Sequence, residues 1–181
     1  GTYAVPGGSH VAIYIDPRGD RGGVLYDPGG SFIPGGEITR PSTAYFEEEK
    51  GTSLLNEYIQ HETRGGRKVS VTTVFTTAEQ EKNILENMGG PFGNDPGPLL
   101  CAKSCSSVLS GVGPFPKRDT WWPFRVEGMS ERAGTKVGGY QATYEQTEQG
   151  KVVQKEGSYT KLGPDDKSET IQQTKPSEQV P

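Results

Sequence analysis

Ser9-His10-Val11-Ala12-Ile13-Tyr14-Ile15 and Gly23-Val24-Leu25-Tyr26-Asp27-Pro28-Gly29-Gly30-Ser31 are the two runs whose reading decides the fold. Both are rich in β-branched and aromatic residues. Between them Asp16-Pro17-Arg18-Gly19-Asp20-Arg21-Gly22 is a cluster of turn formers, so the pattern predicts a β-hairpin. Side chains alternate along a strand, which places His10, Ala12 and Tyr14 on one face and Val11, Ile13 and Ile15 on the other. A register pairing His10 with Asp27 sets Ala12 against Leu25 and puts Val24 and Tyr26 on the Val11 side. It also sets a carboxylate beside an imidazole at the open end of the hairpin. A slip of one residue would bring Tyr26 or Pro28 there instead. A His held by a carboxylate is half of a catalytic triad and calls for a nucleophile elsewhere.

Composition bounds what surrounds that hairpin. The chain has 181 residues, 30% of them hydrophobic, with 26 Gly and 14 Pro, which predicts one domain with a small core and many loops. Net charge is −4 with both signs interspersed, which argues against a nucleic-acid footprint. Arg64-Gly65-Gly66-Arg67-Lys68 reads as a solvated turn. No apolar run approaches the ~20 residues of a membrane span, and there is no signal-peptide core. The chain opens on Gly1, which reads as a processed or excised fragment. The two cysteines, Cys101 and Cys105, read as free thiols. With two distant histidines they lack zinc-ligand spacing, so neither a metal nor a cofactor is expected.

Along the chain, residues 45–50 read as a short helical turn. Residues 52–62 read as a helix with Leu54, Leu55, Tyr58 and Ile59 on its apolar side and Thr52 or Ser53 as N-cap. His61 on that helix reads as a surface residue. Residues 67–75 alternate as a strand, and a helix follows from a Thr76–Glu79 capping box to Gly89-Gly90. Residues 99–113 repeat Cys101, Cys105, Val108, Leu109 and Val112 along one helix face. Trp121-Trp122-Pro123-Phe124 reads as a strand edge or a plug over the core. Residues 137–159 read as a polar hairpin bending at Gln149-Gly150, and residues 164–181 as a disordered tail. The resulting division is a catalytic domain over 1–126, a hairpin extension over 127–162 and a tail over 163–181.

A thiolate needs positive potential, which the first turn of a helix supplies. Two starts are open. With Ser104 as N-cap the nucleophile is Cys105; with Pro98 opening the helix, Cys101 lies near the positive end. Both cysteines also lie on an apolar stripe, where a thiol is ordinarily core.

The run His10-Val11-Ala12-Ile13-Tyr14-Ile15, the segment Val24 to Phe32, Thr76 to Leu85 and Ser104-Cys105-Ser106-Ser107-Val108-Leu109 resemble, in that order, a circularly permuted member of the NlpC-type papain-like cysteine peptidase and amidase superfamily. Lecithin retinol acyltransferase-like proteins share that permuted branch. The resemblance spans about Tyr3 to Trp122. It implies an α+β fold with a small antiparallel sheet against helices, in which His10 is the base, Asp27 its polar partner and Cys105 the nucleophile. Ser104 stands where the family usually has Asn, and Cys101 remains the alternative nucleophile. The implied chemistry is hydrolysis or transfer at an amide or ester through a thioacyl intermediate, with Tyr14, Trp121 and Trp122 as candidate substrate-wall residues. The composition and polar tail further resemble C-terminal toxin modules of Rhs-type polymorphic effectors. That implies a secreted or delivered domain cutting a protein or a peptidoglycan stem peptide, with a cognate immunity protein as partner. Two other readings stand beside it: an acyltransferase or lipid esterase of the same fold, and a non-catalytic binding module.

Overall fold

Residues 10–15 are so apolar on both faces because the strand they form is covered on both sides. The computed structural model describes residues 2–6, 10–36, 40–97 and 99–163. Within it β1 (Thr2–Pro6), β2 (Val11–Ile15), β3 (Val24–Tyr26) and β4 (Tyr45–Glu47) precede the helix α1 (Leu54–Glu62). Then come β5 (Val69–Val74), α2 (Ala78–Met88), α3 (Cys101–Leu109) and α4 (Pro123–Val137). The chain closes with β6 (Gly139–Gln146), β7 (Val152–Gln154) and β8 (Thr160–Leu162). All pairings are antiparallel, and the order across the sheet is β4-β3-β2-β1-β5-β6-β7, with β8 also on β6. The class is α+β.

Alternation along β2 and β3 divides the core in two. Val11, Ile13, Ile15, Val24 and Tyr26 pack with Ile84 and Met88 of α2, with the apolar side of α3, and with Val126 and Ala133 of α4. Ala12, Tyr14 and Leu25 pack with Phe32, Phe46 and the Leu54, Leu55, Tyr58, Ile59 side of α1. Ile13 and Ile15 are completely buried, and each contributes about 1.5–3 kcal/mol of burial free energy. The faces are those the alternation predicts, but the register is two residues away. Ile13 pairs with Tyr26, Tyr14 with Leu25 and Ile15 with Val24, so Ala12 rather than His10 comes opposite Asp27. A shift of two preserves every face, so hydrophobic pattern cannot choose between these registers.

Local signals place the first two caps. Ser53 Oγ accepts from Asn56 N, and α2 starts with a capping box of Thr77 and Gln80, one residue later than the Thr76–Glu79 expectation. Thr76 instead donates to Glu81 Oε1 at 3.0 Å. The expected helical turn at 45–50 is strand β4 over its first three residues. The free edge of β3 pairs with Tyr45, Phe46 and Glu47, and that pairing overrides a weak local preference. The residues read as a strand edge or plug at 121–124 lead into α4, which Pro123 opens and Gly138 ends at φ 101°. Val126, Met129, Ser130, Ala133 and Gly134 form the buried side of α4. Gly134 is bare because a Cβ there would come 2.7 Å from Leu162 Cδ1 of β8.

The polar hairpin exists as β6 and β7 with its bend before Lys151. It is not peripheral, because β6 pairs with β5 over six residues and α4 packs on β1 and β5. Segment 127–162 is therefore part of the same sheet and core. The tail expected beyond Gly163 lies outside the described residues. Among the described residues no helix is long and apolar enough to cross a membrane.

Candidate functional site

The open end of the β2–β3 pair gathers three groups from distant parts of the chain. His10 immediately precedes β2, Asp27 immediately follows β3, and Cys101 is the first residue of α3, which packs on β2. His10 lies two residues beyond Ala12, the register partner of Asp27, and its ring leans back so that Nε2 meets Asp27 Oδ1 at 2.5 Å. The expected imidazole–carboxylate contact is present, reached diagonally rather than straight across.

Asp27 is completely buried and its surroundings fix it. Its N–H donates to Ala44 O, and Tyr58 Oη donates to Oδ1 at 3.4 Å. Arg40 Nη2 donates to the Asp27 carbonyl and to Oδ2 at 3.2 Å, while Nη1 donates to Gly30 O at 2.7 Å. Asp95 ties the same loop from the far side, accepting from Gly29 N at 3.0 Å and lying 3.7 Å from Arg40. A Cβ on Gly30 would fall 2.1 Å from Asp27 Oδ2, and that carboxylate has no room to retreat. Gly30→Ala is therefore expected to cost about 1–3 kcal/mol, as overpacking does. Urea denaturation checks this; a loss below ~0.5 kcal/mol would show that the loop yields freely.

Both cysteines are buried, but their thiols shift in opposite directions. Cys105 is completely buried and its thiol donates to Val11 O at 3.6 Å. Burial, then the neighbouring Cys101 and Asp27, push its thiol well above the ordinary range. Cys101 is also buried, keeping 5% of its surface exposed, and its thiol interacts electrostatically with the His10 ring. Burial opposes its ionisation, but the His10 hydrogen bond and charge, with backbone hydrogen bonds from Val11 and Ala102, bring the thiol below its ordinary value. On His10 burial disfavours the charge, yet Asp27 and Cys101 outweigh it and hold the imidazolium up to about 10.

The start of α3 differs from the one that a Cys105 nucleophile required. The expectation of Cys105 rested on Ser104 as N-cap, but the helix begins one turn earlier with Leu100 as N-cap. Ser104 N already donates to Leu100 O inside the helix. Cys105 consequently lies one turn inside the helix and fully in the core, while Cys101, the alternative, is the first helical residue, at the edge of the same core cluster.

Tyr14 is not a wall residue. It is 3% exposed, and its hydroxyl donates to Glu48 Oε2 at 2.5 Å inside the α1-side core. Trp121 and Trp122 are exposed rather than plugging the core, on a loop tied to α3 by Ser106, which accepts from Thr120 N at 2.8 Å. His61 is partly covered, with Nε2 3.2 Å from Ser31 Oγ and its ring edge-on to Phe32. Sequence reading missed Arg40, Tyr58 and Asp95. Arg40 follows a Gly-rich loop with no periodic pattern, so only the fold reveals that it reaches Asp27. Among the described residues no group of three or more His, Cys, Asp or Glu side chains is placed to hold a metal ion. Neither a protein-family model nor a curated protein nor a solved structure matches the chain.

Proposed function

We propose that this chain is a cysteine amidase or peptidase in which Cys101 is the nucleophile, His10 the acid and base, and Asp27 the group that orients His10. The observation that carries the reading is an imidazole held at 2.5 Å by a buried carboxylate, with its charge lowering the thiol pKa of Cys101 at the start of α3. The order His10, Asp27, Cys101, with the sheet before the cysteine helix, supports a permuted papain-like arrangement.

In the proposed cycle the Cys101 thiolate attacks the amide carbonyl carbon and the electron pair moves onto oxygen. The first-turn N–H groups of α3 lack helical acceptors, so that of Cys101 is placed to donate to the oxyanion. Collapse breaks the C–N bond while the His10 imidazolium protonates the leaving amine, leaving a thioester on Cys101. The now neutral His10 takes a proton from water as it attacks the thioester. The carboxylic acid departs and the thiolate–imidazolium pair is restored.

The test is release of amines from fluorescently labelled peptidoglycan and from a labelled peptide library. Cys101→Ala is expected to lower turnover on the order of 10³-fold or more. Cys105→Ala is expected to keep turnover within about threefold while costing about 1–2 kcal/mol of stability from the small cavity. Turnover that survives Cys101→Ala but vanishes in a folded Cys105→Ala would overturn the assignment.

A further inference from the structure

The segment from Leu99 to Arg125 presents a surface unlike the rest of the chain. Leu99 is 90% exposed, Phe124 64%, Trp122 57% and Trp121 56%. Loops ordinarily cover such groups or replace them, and a cluster of exposed aromatic residues marks a binding surface. The three aromatic side chains are held outward by structure. Ser106 pins Thr120 to α3, Lys103 lies 5.3 Å over the Trp121 ring, and Trp122 lies beside Phe124 with ring centroids 6.3 Å apart. Pro123 then starts α4, so neither Trp122 nor Phe124 can turn inward without unwinding a helix whose Val126 is fixed in the core.

The charge around them is the second observation. Residues 99–125 contain four basic residues, Lys103, Lys117, Arg118 and Arg125, and one acidic residue, Asp119, in a chain whose net charge is −4. Lys117, Arg118 and Arg125 are exposed, and among the described residues no carboxylate pairs with them. Aromatic rings flanked by cations match the headgroup layer of an anionic bilayer. There the amphipathic indoles settle at the interface and the basic side chains meet lipid phosphates.

We propose that the Trp121–Trp122–Phe124 surface docks the protein peripherally on anionic lipid. It inserts its apolar side chains to headgroup depth without spanning the membrane.

Trp121 and Trp122 are the only tryptophans, so intrinsic fluorescence reads the surface directly. The full chain is titrated with vesicles of mixed phosphatidylglycerol and phosphatidylcholine, and with vesicles of phosphatidylcholine alone, alongside co-sedimentation. Expected are a blue shift and co-sedimentation on the anionic vesicles, both weakened by high salt. Lys117→Glu with Arg118→Glu is expected to lower partition about tenfold or more. Trp121→Ser with Trp122→Ser should abolish sedimentation while circular dichroism stays unchanged. No binding to anionic vesicles overturns the proposal, as does binding insensitive to both the charge reversal and the tryptophan replacement. Concentration-dependent self-association, lost in the tryptophan variant and without lipid binding, would assign the surface to a second copy of the chain instead.

Discussion

His10→Ala is expected to slow alkylation of Cys101 at about pH 6 by tenfold or more, because the reacting species is the thiolate. In the native site Cys101 ionises below its ordinary value, because the His10 hydrogen bond and charge outweigh burial. Without the imidazolium, burial is left largely unopposed and the thiol pKa rises. The acid limb of the rate profile then moves to higher pH, and each unit of that movement is a factor of ten in rate below the limb. At pH values above both limbs the two proteins should converge. The proposed hydrolysis, which also needs the imidazolium proton for the leaving amine, should fall again in the wild type as His10 loses its proton near 10. Iodoacetamide rate profiles on wild type and variant measure the shift; superimposable acid limbs would remove His10 from the site.

Asp27→Ala carries the largest expected stability effect, about 3–5 kcal/mol, because removing one partner leaves buried opposite charges uncompensated. Asp27 is completely buried between His10 and Arg40, whose side chains are 17% and 16% exposed. Deleting it strands His10, leaves Arg40 only the more distant Asp95 carboxylate at 3.7 Å, and leaves the Tyr58 hydroxyl without its acceptor. Asp27→Asn keeps an acceptor for Tyr58 and should cost less. It removes the charge that raises His10, so the imidazolium falls from about 10 toward its ordinary 6.5. The sign follows from the native state. A raised His10 stabilises the fold fully below pH 6.5, and that contribution fades as pH rises toward about 10. Urea denaturation of Asp27→Ala, Asp27→Asn and wild type checks the order; a loss below about 1 kcal/mol in Asp27→Ala would mean that the pair is solvated rather than buried.

Parts of this site can be read in the sequence because they obey local rules. Alternation along residues 10–15 and 24–27 assigns the right faces to both strands, and it identifies His10 and Asp27 as neighbours at one end. Periodicity finds α1, α2 and α3. The nucleophile is ambiguous because Cys101 and Cys105 share one helix face four residues apart. Only the helix start separates them, and Leu100 is a weak cap signal. Register is ambiguous because a two-residue shift changes no face. Helix α4 escapes notice because Gly128 and Gly134 interrupt it and its buried side includes Ser130, Ala133 and Gly134, although the spacing from Val126 onward is helical. Arg40 and Asp95 are invisible for a deeper reason: their role exists only through contacts closed over long loops.

The most direct test of the thiolate–imidazolium site is peptide mapping by mass spectrometry after brief iodoacetamide treatment of the folded wild-type protein at about pH 6. The account predicts one modified residue, Cys101, with Cys105 labelled only after denaturation. Modification of Cys105 in the folded protein, or of neither cysteine, would contradict it.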